Sequence, residues 1–126
     1  MTSTAWQTYA KGQPGLALNG DGIMVELDRA RSHRVQVIHH ADGWELSSFA
    51  CGPEQLTGAN LSPQDLWYRN RSLALVGFVV DGHGDVWVTA WLPIAGLTAA
   101  EFQFAAREVA IEADRLEFHA TGMDQF

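Results

Sequence analysis

The chain has one cysteine, Cys51, and one lysine, Lys11. A lone thiol closes no disulfide within the chain and cannot build a thiolate zinc site. Basic residues are few: 8 Lys and Arg stand against 15 Asp and Glu, giving a net charge of −7 and a pI of about 5.0. A surface this acidic repels nucleic-acid phosphates and anionic membranes. No run of 18 apolar residues occurs, and no charged segment leading into an apolar one opens the chain. The expectation is a soluble, cytoplasmic protein that binds neither nucleic acid nor membrane. No repeat, low-complexity tract or long linker divides the 126 residues, so one domain over 1–126 is expected.

What is present is an apolar core. Hydrophobic residues make up 47% of the chain and five are tryptophans, a globular composition. The densest stretch is Ser72 to Ala120. Ser72–Val80 (SLALVGFVV) reads as a strand, and Asp81–Asp85 (DGHGD) as a turn with glycines supplying positive φ. Val86–Leu92 (VWVTAWL) reads as a second strand, ended by Pro93. Thr98 and Glu101 form a capping box. The helix it starts has Phe102, Ala105, Ala106, Val109, Ala113 and Leu116 on its core face.

This stretch carries more apolar surface than one helix layer covers. Val86, Val88, Ala90 and Leu92 share one side of the strand, while Trp87, Thr89 and Trp91 share the other. Opposite the helix core face runs a second row, Phe104, Ile111 and Phe118. Either other parts of the chain bury these surfaces or a second protein molecule does. Arg107 and Arg115 flank the row.

The first half reads as an antiparallel meander. Thr2–Lys11 is a short weak helix with Trp6 and Tyr9 on one side. Leu16–Leu18 is a brief apolar touch before the turn Asn19–Gly22. Ile23–Leu27 alternates as a half-buried strand. Arg29–His33 is a polar connection, Arg34–His40 a strand, and Trp44–Phe49 its returning partner. Cys51–Leu61 reads as a loop. Ser62 caps a short helix, Pro63 to Asn70, anchored by Leu66 and Trp67. The fold class is α+β: an antiparallel sheet of about five strands, with a short helix and a long C-terminal helix on one side.

That order, together with the helix Pro63–Asn70, the strand Leu73–Val80, the turn Asp81–Asp85, the run Trp91-Leu92-Pro93 and the helix Leu97–Phe118, resembles the type III secretion chaperone fold. Within it, the chain is similar to the YbjN family of bacterial proteins. The resemblance spans roughly Leu16 to His119. It implies a small acidic homodimer that binds a partner protein or peptide without catalysis, in the manner of YbjN-type stress or sensory regulators. Secretion chaperones open with a firm amphipathic helix, and the first eleven residues here depart from that pattern.

Polar constellations offer a rival reading: a small α+β enzyme or small-molecule-binding domain. His39 and His40 are adjacent on a strand and face opposite ways, so one metal cannot take both. Asp81, His83 and Asp85 have the types needed for acid–base work but also fit hairpin-turn chemistry. Gly-Asp-Gly at 20–22 and Gly-His-Gly at 82–84 match no phosphate loop. No serine has a nucleophile-elbow context, and Cys51 reads as a bystander thiol. The expectation is therefore no enzyme, no cofactor, no metal and no catalytic residue. The interface candidates are Trp87, Trp91, Phe104, Ile111 and Phe118, for a partner protein or a second copy.

Overall fold

The structure, a computed structural model, describes residues 6–27, 31–70 and 75–121. The start of the predicted first helix, part of the Arg29–His33 connection, the first residues of the strand predicted from Ser72, and the tail beyond Thr121 lie outside these residues.

The elements run α1 (Gln7–Ala10), β1 (Leu16–Asn19), β2 (Gly22–Glu26), β3 (Ser32–His39), β4 (Gly43–Cys51), α2 (Pro53–Gly58), α3 (Pro63–Asn70), β5 (Gly77–Val80), β6 (Val86–Pro93) and α4 (Ala99–Thr121). The strands form one antiparallel sheet in the order β1-β2-β3-β4-β6-β5. This is the expected α+β class, with six strands in place of five. The extra strand is Leu16–Asn19, which the Asn19–Gly22 turn folds back so that Leu16 faces Val25. β6 lies between β4 and β5, so the connection through α2 and α3 carries the chain out to the sheet edge.

Strand periodicity sets the two faces. Val37, Leu46 and Ala90 align across β3, β4 and β6, and Ser48 aligns with Val88 and Phe78. All are buried, and β3, β4 and β6 pack against α4. Gly43 is required where β4 starts, because a side chain there would run into the Leu92 carbonyl. Of the two turn glycines, Gly84 alone takes positive φ, at 84°.

α4 starts as its sequence predicts. Thr98 Oγ1 accepts from the Glu101 N–H (3.2 Å), and Glu101 Oε1 accepts from the Thr98 N–H (2.9 Å). Phe102, Ala105, Ala106, Val109, Ala113 and Leu116 are fully buried. The alanines bring the helix axis close to the sheet. Trp6 and Tyr9 stack on Phe102, with ring centroids 6.4 and 5.2 Å away, so α1 closes the core at this end.

Three more local expectations change. The predicted loop Cys51–Leu61 contains α2, where Gln55 Oε1 accepts from the Gly52 N–H at 2.7 Å and Leu56 is buried. In α3 the Ser62–Asp65 capping box forms and Leu66 is buried, but Trp67 is 56% exposed and is no anchor. β3 begins at Ser32, so His33 belongs to a strand, and its position in the alternation puts it on the helix-covered side. The last residue of α3 guards a sheet edge. Asn70 Oδ1 accepts from the Phe78 N–H (2.6 Å), and Nδ2 donates to the Phe78 carbonyl (3.2 Å), so a side chain stands where another strand would pair. No helix among the described residues is long and apolar enough to cross a membrane.

Candidate protein-binding face

All the described helices lie on one side of the sheet, and no described element covers its other side, called the open side below. Across that open side run three rows: Ile38–Glu45–Trp91, Gln36–Ser47–Thr89–Gly77, and Phe49–Trp87–Val79. Aromatic or aliphatic rows thus flank a polar one. Trp91 is 51% exposed, Val79 47% and Phe49 44%. A shallow depression of about 240 Å³ lies between them, lined by Gln36, Ile38, Ser47, Trp87 and Thr89 among others.

The two predicted tryptophans share this side but do not touch. Four residues along a strand separates them by ~13 Å. Each has its own setting. Trp87 packs edge-on against Phe49, centroids 5.6 Å apart, and its indole N–H donates to Asp81 Oδ2 at 3.0 Å. Trp91 lies against His40 at 4.7 Å, and His40 Nε2 is 2.9 Å from Glu45 Oε1. Trp87 is therefore fixed and half-buried, while Trp91 stands clear.

The second predicted surface is the outer side of α4. Phe104 is 58% exposed and Phe118 50% exposed, whereas Ile111 is half-buried. Seven residues of helix place consecutive members ~10 Å apart. Phe104 borders an apolar groove of about 500 Å³ with Leu75, Leu92, Pro93 and Leu97. Ile111 lies beside Leu27 and Arg115, and Phe118 beside Arg31 and Ser32. The flanking arginines are engaged within the chain: Arg107 Nη2 donates to the Pro14 carbonyl (3.0 Å), and Arg115 Nη1 to Glu112 Oε2 (2.6 Å).

The polar constellations take structural positions. His39 lies tilted against buried Trp44, ring centroids 4.6 Å apart, on the covered side, while His40 is on the open side, so the two are not brought together. Asp81 caps its own hairpin, accepting from the N–H groups of His83 (2.8 Å) and Asp85 (3.0 Å) as well as from Trp87. The Trp87 bond, then the backbone bonds, hold the Asp81 carboxyl below its ordinary range. Cys51 is buried, and desolvation, reinforced by Glu117 and Asp85, pushes its thiol up, away from reactive thiolate.

Phe49, Val79 and Ile38 join Trp87 and Trp91 on the open face, and the sequence reading did not name them. Phe49 had a signal: with Glu45 and Ser47 it occupies the strand positions alternate to Trp44, Leu46 and Ser48, although Ser47 itself is buried.

The sequence matches no protein-family profile and no curated protein. Solved structures do match. A chain of the heterodimeric complex ExoU–SpcU from the type III secretion system of Pseudomonas aeruginosa is similar with a TM-score of 0.63 and 18% identity, over 90% of this chain and 95% of that one. A chain of the ExsC–ExsE complex is similar with a TM-score of 0.52 and 18% identity, over 84% of this chain and 81% of that one. The fold is type III secretion chaperone-like.

Proposed function

We propose that this protein is a one-domain, non-enzymatic module that works as a homodimer and holds a segment of another protein, as a cytoplasmic regulator or chaperone of YbjN type. The observation that carries this reading is the bare side of the sheet, where Trp91, Phe49 and Val79 stand exposed around half-buried Trp87. Tryptophan is enriched at protein interfaces, and a broad, shallow apolar face suits an extended segment better than a small substrate. The ExoU–SpcU and ExsC–ExsE structures are each complexes of two proteins.

The two apolar surfaces divide the work. The open sheet face takes the partner segment. The outer row of α4, with Phe104 and Phe118 exposed, takes the second copy, two-fold symmetry being the commonest way to cover such a row. The non-enzymatic reading is supported by the dispersal of polar groups: His39 and His40 face apart, and the Asp81 carboxylate is occupied by its hairpin and Trp87.

The test is affinity capture with wild type and Trp91→Glu as baits, followed by mass spectrometry and by titration of the recovered partner against tryptophan fluorescence. The expected result is a partner that shifts wild-type fluorescence and is lost from Trp91→Glu, while Phe104→Glu retains it. Equal capture by wild type and Trp91→Glu contradicts the assignment of the sheet face.

A further inference from the structure

Covering the open side raises a charge problem that the chain itself leaves unsolved. Glu45 and Trp91 are directly opposed on β4 and β6, so their side chains stand next to each other, ~5 Å apart at Cβ. A partner that buries Trp91 therefore buries Glu45 as well. Glu45 Oε1 faces His40 Nε2 at 2.9 Å, and Oε2 has no partner among the described residues. A neutral imidazole can satisfy one oxygen, but it leaves the negative charge in place. Asp81 lines the same shallow depression as Glu45. The N–H groups it accepts from are uncharged, so its charge stands too. No lysine or arginine is among the described residues lining that depression. Arg34, the basic residue that strand alternation puts on this side, is engaged with Asn19 and Asp21. A carboxylate taken out of water without a counter-charge strongly disfavours the complex.

We propose that the segment held on the open side is extended and presents a basic side chain, arginine best, to Glu45 beside Trp91. The inference rests on the assignment of that side to a partner segment, and it adds what the segment must carry. A guanidinium suits both neighbours, because its planar fork matches a carboxylate and its flat face stacks on an indole. The net charge of −7 also draws such a segment in.

The rival source of counter-charge is a proton on His40, whose ring lies against Trp91 and whose Nε2 faces Glu45. Around that ring, β4 contributes the Glu45 carboxylate, β6 contributes uncharged Trp91, and Asp42 lies in the turn between His40 and β4. The two sources have opposite pH signatures. A neutral segment relying on His40 takes up a proton on binding and binds more tightly as pH falls. A basic segment competes with that proton for Glu45 and binds less tightly.

The test pans folded, full-length wild type against a phage-displayed library of random peptides of about twelve residues, ~40 Å when extended. Counter-selection is on Trp91→Ala, and synthetic copies of the recovered peptides are titrated against tryptophan fluorescence. The expected peptides share an arginine or lysine. Their binding falls about tenfold in Glu45→Gln, which keeps an acceptor for His40, and by a similar factor when the basic residue is replaced by glutamine. Glu26→Gln removes an equal charge from β2 and changes binding less than about twofold. Binding weakens from about pH 7.5 to about pH 5.5, the range in which an ordinary imidazole gains its proton. Peptides that need Trp91 but carry no basic residue leave the sheet face as the binding side and overturn the charge requirement. So does binding that survives Glu45→Gln, that falls equally in Glu26→Gln, or that tightens at the lower pH. Recovery of no peptide that distinguishes wild type from Trp91→Ala overturns both readings, and a wild-type dimer that Trp91→Ala then splits would give the face to a second copy.

Discussion

The two sides of the sheet are made by the same strands and meet different fates. On the covered side Val37, Leu46, Ala90 and Val88 disappear under α4, and Ser48 is buried among them with its hydrogen bonds made inside the protein. On the open side Trp91, Phe49 and Val79 are comparably apolar, yet each is roughly half exposed. Every large apolar side chain left in water forgoes ~1.5–3 kcal/mol relative to burial. The open side therefore differs from an ordinary wet sheet face, which is polar at alternate positions. Trp91, the most exposed of them, is therefore expected to contribute little to holding the monomer together, whereas Trp87 is held by Phe49 and Asp81.

That contrast can be broken most directly by truncation on each side. Leu46→Ala or Phe102→Ala, both fully buried, should lower stability by about 3–5 kcal/mol in denaturant unfolding followed by circular dichroism. Trp91→Ala should stay within about 0.5 kcal/mol, measured on the monomer. A Trp91 loss above about 2 kcal/mol would show that the open side is part of the core.

A smaller effect is expected at the sheet edge. Asn70→Ala removes both bonds to the Phe78 backbone and should cost about 1–3 kcal/mol, with faster amide exchange at Phe78. Thr98→Ala, at the start of the helix that covers the sheet, should cost about 1 kcal/mol.

The smallest effect belongs to Asp81 at the rim of the open side. Its folded carboxyl lies below the ordinary range, chiefly through the Trp87 indole N–H. A lowered carboxyl stabilises the folded state in full above its unfolded value, about 3.9, and that contribution is lost as pH falls through the folded value. Wild type should therefore exceed Asp81→Asn in stability at neutral pH, with the gap closing below about pH 4.

Much of the covered side was legible in the sequence. The helical repeat of Phe102, Ala105, Ala106, Val109, Ala113 and Leu116, and the alternation of Val86, Val88, Ala90 and Leu92, are patterns that burial imposes directly. The Thr98–Glu101 capping box and the Ser62 cap were legible because they are local. The missed elements are short. β1 has four residues, of which only Leu16 is buried, and α2 is six residues with Leu56 as its single buried side chain, too few to show a period. Trp67 was misjudged because a large apolar residue in a short helix reads as an anchor until its neighbours are placed. The interface candidates Trp87, Trp91, Phe104, Ile111 and Phe118 came from a surplus of apolar residues over what one layer of helices can bury; Trp91, Phe104 and Phe118 are about half exposed, while Trp87 and Ile111 are half-buried. The His33–Glu117 contact was invisible, because the two residues are 84 apart in sequence and meet only when α4 crosses β3.

The central claim is that the apolar surfaces left outside the core have separate roles, the α4 row for a second copy and the sheet face for a partner. Light scattering at about 50 μM, where even a micromolar dimer persists, tests it on wild type, Phe104→Glu and Trp91→Glu, each shown to be folded. The account predicts twice the 13.8 kDa chain mass for wild type and Trp91→Glu, and a single chain for Phe104→Glu. A wild type with the mass of one chain, or a Trp91→Glu monomer beside a Phe104→Glu dimer, would contradict it.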